Sequence, residues 1–386
     1  MMQRYGYDDF TVLINGKDVT EGVTICEIYM DITNPVWSAT VAFMDSVDLI
    51  NTLPIRKNDK VKIIIKTGNI FAKDRREFDF VLYKIDDKIH YNQNSIGFRL
   101  YTVSKPFTDN MTKRVSRHLQ GEPIGIAQSL FSEYFGGYTC ESSASNGQVN
   151  MIASAWTPFN TFGQLLKAAH KDNVADYLIF QCDNTKFKIK SIAEMYNENS
   201  GIKFKYIPNG ITGNNYPYLI TKYEIEQFDG TLNLSSGFYG SNVYSYDLSS
   251  KKFTNKKYSN DKDKASLSDG ESYNNDADGH VVFQPMHQGI TGDDSQLNNF
   301  NTWLPSRHSA LMKLEQEKLL IQTNGNMEYI GLLGKSCLVE MPKQDYKSRQ
   351  QLDTKRSGKY LVTAMGFIIN KQMFITNLEM VKREFE

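Results

Sequence analysis

What the sequence lacks bounds it first. Cysteine is scarce, there is no excess of charge of either sign, and no long apolar run occurs. The four cysteines, Cys26, Cys140, Cys182 and Cys337, lie far apart with no CxxC pair. That spacing supplies neither a disulfide framework nor a cysteine zinc site, and free buried thiols are expected. Lys plus Arg number 44 and Asp plus Glu number 44, so no global field argues for nucleic acid or a membrane surface. No apolar run approaches the ~18 residues of a membrane helix. The opening "MMQRYGYDDF" has no apolar signal core. The expectation is therefore no membrane span, no secretion by signal peptide, and synthesis in the cytoplasm.

What the sequence has is aromatic residues, 22 Tyr and 22 Phe, with Asn throughout. That mix suits β-rich domains and polar interfaces, because Tyr offers a flat apolar body with a hydrogen-bonding tip. A chain of 386 residues has room for two or three domains.

The first hundred residues read as strands: "FTVLI", "VTICEIYMDI", "VWSATVAFMD", "KVKIIIKTG", "EFDFVLYKIDDKI" and "SIGFRLYTVS", separated by turn chemistry such as "NGKD" and "YNQN". This predicts a small antiparallel barrel over residues 1–105. After Lys105-Pro106 the pattern becomes mixed α and β, and residues 106–215 form the expected middle domain. There "EPIGIAQSLFSEYFGG" is a helix stopped by Gly136-Gly137, and "WTPFNTFGQLLKAAHKDN" is a helix capped by Thr157 with Pro158 at its first position. "DYLIFQCDNTKFKIKSI" reads as a hairpin around Asp183-Asn184. A second barrel is expected from residues 216–234 together with 305–386, with a helix at about 306–320. Residues 235–304 are too poor in apolar side chains for a core of their own and read as a polar insertion associated with the middle domain.

The two strand-rich ends share an order of parts. "KNDKVKIIIK" and "LGKSCLVEMP" are each a polar turn feeding an apolar strand. From Val61 to Tyr83 is 22 residues and from Cys337 to Tyr360 is 23, and each Tyr opens a long hairpin. This predicts a duplicated barrel in which Asn58-Asp59-Lys60 and Gly334-Lys335-Ser336 turn the same corner. The fold class is accordingly β-rich α+β, with two similar small barrels, a mixed middle domain and a long polar insertion.

Gly334-Lys335-Ser336 is also the tripeptide that ends a phosphate-cradling loop. That loop needs a glycine five residues before Gly334, where Tyr329 stands, and a helix afterwards, where "CLVEM" alternates like a strand. Asn274, Asp276, Asp278 and Gly279 match the start of a calcium loop, but its twelfth position, which must supply a bidentate Glu, is Pro285. The histidines, His90, His118, His170, His280, His287 and His308, show no ligand spacing. Asp86 and Asp87 alternate across a strand, and the basic clusters "RVSRH" and "SKKFTNKK" read as ordinary surface. The sequence thus nominates no catalytic, cofactor-binding or metal residues, requires no cofactor, and does not read as an enzyme. A cell-wall hydrolase would need two opposed carboxylates or a metal set.

Three stretches carry a resemblance: "AWTPFNTFGQLLKAAHKDN", "RHSALMKLEQEKLLIQTNGNMEYIGLLGKSCLVEMP" and "SGKYLVTAMGFIINKQMFITNLEMV". In these and in the order of its parts the chain resembles the baseplate hub proteins of contractile phage tails, the T-even-type trimeric hubs on which a central spike sits. The resemblance implies a homotrimer in the virion tail baseplate. Six barrels would form a pseudo-six-fold ring joining a six-fold tail tube to a three-fold spike. It implies as partners the central spike protein, tail tube or tube-initiator proteins and other baseplate proteins, around a lumen that DNA is able to cross. Hubs of type VI secretion spikes and extracellular injection particles are similar and form one alternative. A carbohydrate- or receptor-binding tail module is the other, with Tyr239, Tyr244, Tyr246 and Tyr258 offering flat rings to sugars.

Overall fold

The structure is a computed structural model. It describes residues 7, 9–45, 53, 55–69, 72–92, 95–171, 174–208, 218–226, 236–238, 240–247, 250–259, 280–286, 294–315, 318–343 and 351–382. The chain opens with β1 (Asp9–Ile14), β2 (Lys17–Asp18), β3 (Val23–Asp31), β4 (Ser38–Asp45), β5 (Lys60–Asn69), β6 (Ala72–Asn92) and β7 (Ser95–Val103). Alternation makes these strands two-faced: Val61, Ile63 and Ile65 of β5 are buried, as are Cys26, Ile28 and Met30 of β3. Asn15-Gly16, both at positive φ, turn β1 into β2.

The middle of the chain runs α1 (Lys105–Thr112), β8 (Val115–Gly121), α2 (Pro123–Tyr134), β9 (Thr139–Ser142), β10 (Val149–Trp156), α3 (Pro158–Ala168), β11 (Tyr177–Asp183), β12 (Lys186–Ser191) and α4 (Ile192–Asn197). The Thr157 side chain accepts from the Asn160 N–H, so α3 starts at Pro158, whose missing N–H costs nothing at a first helical position. Helices α2 and α3 enclose a core in which Phe131 lies 6.1 Å from Phe162 and 4.9 Å from Phe187, ring centre to ring centre. Strand β12 pairs with β11 as a hairpin partner and also, in parallel, with β9.

The remaining elements are β13 (Asn199–Tyr206), β14 (Leu219–Ile225), β15 (Gly240–Asp247), β16 (Lys252–Ser259), β17 (Val281–Met286), α5 (Asp294–Lys313), β18 (Lys318–Asn324), β19 (Ser336–Glu340), β20 (Gly358–Asn370) and β21 (Phe374–Lys382). One 13-stranded sheet, in the order β19-β13-β14-β18-β21-β20-β3-β4-β7-β6-β5-β1-β2, crosses both ends of the chain. A further β19–β20 pairing closes β13, β14, β18, β21, β20 and β19 into a six-stranded barrel. The architecture is β-rich α+β.

The structure departs from the sequence expectations in three places. First, β13 lies inside the span assigned to the middle domain, yet it pairs with β14 and β19 in the barrel. Only Phe204 of β13 is fully buried, and its lysines mask the alternation. Second, the polar insertion carries a three-stranded sheet, β16-β15-β17, where little ordered structure was expected. Its buried side is lined by small groups, with Ser241, Val243 and Ser245 inward, so helix α5 approaches closely with little apolar surface. The Ser309 hydroxyl of that helix donates to the Phe238 carbonyl at 2.8 Å. Third, the helix expected at 306–320 begins at Asp294 and ends at Lys313, and Lys318–Asn324 is a strand that buries Leu319, Ile321 and Thr323.

Candidate assembly interface

Two corners of the large sheet answer to the same backbone description. Asn58 and Gly334 both sit in the left-handed region, at φ 73° and 70°. The Asn58 N–H donates to the Leu82 carbonyl at 2.7 Å, and the Leu82 N–H returns a bond to the Asp59 carbonyl at 2.9 Å. The Gly334 N–H donates to the Val362 carbonyl at 3.0 Å, and the Val362 N–H returns a bond to the Lys335 carbonyl at 3.0 Å. Gly334-Lys335-Ser336 is thus a strand-entry corner like that of Asn58-Asp59-Lys60. The Lys335 ammonium lies 3.5 Å from Glu198. Burial raises the Glu198 pKa, but Lys190, Lys188 and Lys335 outweigh it and hold the carboxyl below its ordinary value.

The correspondence continues along the strands. Val81 lies between Lys60 and Val103, and Leu361 lies between Ser336 and Val381. The pairing register then shifts between Leu82 and Lys84 on β6 and between Val362 and Ala364 on β20. A second matched pair of bulges lies at Thr24 and Thr221, whose hydroxyls donate to the carbonyls of Ala42 (3.1 Å) and Gln322 (2.9 Å). Val61 and Cys337, opposite Phe80 and Tyr360, are both buried. Spacing in the sequence matches Tyr83 with Tyr360. In the structure Tyr83 corresponds to the bulge residue Thr363, and Tyr360 corresponds to Phe80, so that match was three positions out.

Strand order follows the same rule. The set β1, β3, β4, β5, β6, β7 lies in the order 3-4-7-6-5-1, and the set β13, β14, β18, β19, β20, β21 lies in the order 14-18-21-20-19-13. The sets differ in two respects: β1 is antiparallel to β5 whereas β13 is parallel to β19, and β13 closes its set on β14 whereas, among the described residues, β1 does not pair with β3. The two sets join where residues 364–370 of β20 take β3 as an antiparallel neighbour, and the Ile32 N–H donates to the Thr363 carbonyl at 3.0 Å. Over the junction lies a groove of about 470 Å³ lined by residues including Glu27, Tyr29, Glu224, Gln322 and Glu379.

Among the described residues, the side chains weighed as chemical sites do not converge. His118 lies 2.5 Å from Asn150, and Arg117 pairs with Glu133 at 2.5 Å. His170 joins Asn146 through backbone bonds, while Asp86 pairs with Lys84. His90 stands on β6, and "SKKFTNKK" leads into and runs along β16. His280 and His308 stack at 5.2 Å, a contact that sequence spacing gave no reason to expect. Asn274, Asp276, Asp278, Gly279, His287 and Tyr239 lie outside the described residues, and Pro285 is part of β17. Among the described residues no group of three or more His, Cys, Asp or Glu is placed to hold a metal ion. No helix among them is long and apolar enough to cross a membrane. Cys26, Cys140, Cys182 and Cys337 are free thiols. Burial, the leading cause in each case, pushes Cys337 and Cys140 up to about 12 and Cys182 up to about 11.

One exposed apolar face stands apart. On the β16-β15-β17 sheet Tyr244 pairs with Phe283, Tyr246 pairs with Phe253, and Tyr244 stacks on Phe253 at 5.7 Å. Phe253 is 59% and Phe283 63% exposed.

No protein-family model matches the chain, and no curated protein is similar to it in sequence. Its fold, however, is similar to solved ones. A 43 kDa tail protein of prophage MuSo2 from Shewanella oneidensis superposes with TM-score 0.61 at 9% identity, over 97% of this chain and 98% of that one. A tail protein from Neisseria meningitidis MC58 superposes with TM-score 0.58 at 10% identity, over 99% and 98%. At such identities the likeness is one of fold, and over nearly its whole length this chain has the fold of phage tail proteins.

Proposed function

We propose that the protein is a structural hub of a contractile phage tail. Three copies form a ring of six barrels, which fits a six-fold tail tube on one face and a three-fold central spike on the other. The observation that carries this reading is the repeated strand order with its matched corners and bulges. A chain with two equivalent barrels needs only three-fold symmetry to make a ring that is six-fold in shape. The β-rich fold with long strands supports the reading too, since such strands need their edges covered and neighbouring subunits cover them. On this reading the domains are 1–105, 106–215 less β13, the second barrel from β13 and β14 with 305–386, and the insertion 235–304. The partners are the spike, the tube or its initiator, and other baseplate proteins. No bond chemistry is involved, and the location is the virion tail.

Light scattering behind size exclusion tests the assembly. Three times the 44.2 kDa chain mass is expected, alone or with the spike protein added, and a single-chain mass under both conditions contradicts the hub.

A second reading, a carbohydrate- or receptor-binding module, draws on the exposed Phe253 and Phe283 with the half-buried Tyr244 and Tyr246 beside them. Glycan binding abolished by Phe253→Ala and Phe283→Ala in a monomeric protein would favour it over the hub.

A further inference from the structure

Within one chain, the second strand set docks on the first by a single device. Strand β20 is paired with β19 over Gly358–Leu361 and then carries β3 along residues 364–370. The strand that corresponds to β20 is β6. Its pairing with β5 ends at Val81, while β6 itself continues beside β7 to Asn92. The strand that corresponds to β3 is β14. Its pairing with β13 is confined to Leu219 and Ile220, while it continues beside β18 to Ile225. In the sheet β14 and β6 are separated by six strands, so among the described residues the chain makes this junction once and holds the two halves of another.

We infer that the stretch of β6 beyond the Tyr83 bulge pairs, antiparallel, with β14 of a second copy of this chain. This junction repeats the internal β20–β3 one. The inference rests on the ring reading for its partner and adds the elements and the register. The matched bulges fix that register. Lys84 and Asp86 correspond to Ala364 and Gly366, and Thr24 corresponds to Thr221, which makes Glu226 the counterpart of Tyr29. Gly366 faces Tyr29 in the internal junction, so Asp86 of one copy faces Glu226 of the next. Two carboxylates opposite one another are unfavourable, and the Lys84 ammonium beside Asp86 offsets them. Tyr83, 46% exposed, takes the place of Thr363, whose carbonyl receives the Ile32 N–H. Each copy contributes one β6 edge and one β14 edge, so copies add head to tail and close into a ring.

The bond from Ile32 to Thr363 makes that pair a hydrogen-bonded one, and alternation then makes the Gly366–Tyr29 pair non-hydrogen-bonded. Side chains are closest at such positions, so the corresponding pair suits a disulfide. The experiment co-expresses full-length chains carrying Asp86→Cys with differently tagged chains carrying Glu226→Cys, and oxidises them with copper phenanthroline. Both positions are on the surface, and the native Cys140 and Cys182 thiols, raised to about 12 and 11, react slowly beside new exposed ones. The expected result is a disulfide-linked pair carrying both tags, and, from the double variant, a ladder ending at three chains. A control pairing Asp86→Cys with Lys222→Cys lies four residues off register and should stay unlinked. Linking in the control as fast as in the test pair overturns the register. A three-chain mass without any link overturns the strand pairing and leaves the ring standing. A single-chain mass overturns both.

Discussion

Gly334 holds its corner at φ 70° with Phe180 and Met195 against it. A Cβ there would lie 2.8 Å from Phe180 Cζ and 3.0 Å from Met195 Sδ. Gly334→Ala should therefore lower stability by about 1–3 kcal/mol in denaturant unfolding. Lys335→Ala should change it by less than about 1 kcal/mol, because its ion pair with Glu198 is partly exposed. Millimolar ATP with magnesium should leave the Tm of the native protein unmoved, and a saturable rise abolished by Lys335→Ala would show that this corner binds phosphate. A second residue-scale effect lies at His280. Among the described residues its Nδ1 has no hydrogen-bond partner, and burial first and His308 second depress its pKa. A histidine depressed in the folded state takes up its proton at higher pH when unfolded. Stability is therefore lost as pH falls through about 6.5 toward the folded value, and is fully present above it. The denaturant midpoint should fall between pH 7 and 5.5. His280→Gln should make that fall shallower, and His170, depressed by burial, keeps part of it. Glu77 and Glu198 are depressed by lysines and act in a separate window, where stability is lost below about pH 4.5. The corner was legible in the sequence because a missing glycine at Tyr329 is a matter of spacing. The histidine stack was not, because it joins residues whose contact depends on how α5 crosses the insertion.

At the scale of elements, the joint between the first strand set and the middle domain is built on Trp37. Its indole N–H donates to the Gln181 carbonyl at 2.8 Å, and its backbone N–H donates to the Gln181 side-chain oxygen at 3.1 Å, both in buried surroundings. Gln181→Ala leaves that backbone donor without its acceptor and should cost about 1–3 kcal/mol, read as a lower denaturant midpoint with an unchanged slope. A loss below half a kcal/mol would mean that water replaces the amide. Strands such as β5 and β20 were legible because buried residues alternate along them, and α3 because Thr157 and Pro158 mark its start. Strand β13 was not, since its lysines leave one fully buried residue and the strand it pairs with most extensively, β19, is remote in sequence. The β16-β15-β17 sheet was missed for a related reason. Packing that relies on Ser241 and Ser245 leaves no apolar periodicity to read.

At the scale of the molecule, the repeated strand order was visible in the sequence as an order of parts, though the aromatic landmarks that align it were three positions out. Backbone features carry the repeat better than side chains do. Corners at positive φ, bulges and partner switches recur where the residues differ, with Asn58 answered by Gly334 and Tyr83 by Thr363. A backbone pattern of this kind persists because it sets how strands bend and which edge they offer, while side chains need only fill the core. On the proposed reading, two equivalent barrels per chain make a six-lobed ring from three copies. Electron microscopy of the purified assembly viewed down its axis tests it most directly. Six lobes of near-equal size with strict three-fold symmetry are expected, alternate lobes differing where the 235–304 insertion attaches. A particle with three lobes, or one whose two strand sets lie at different distances from the axis, would contradict it.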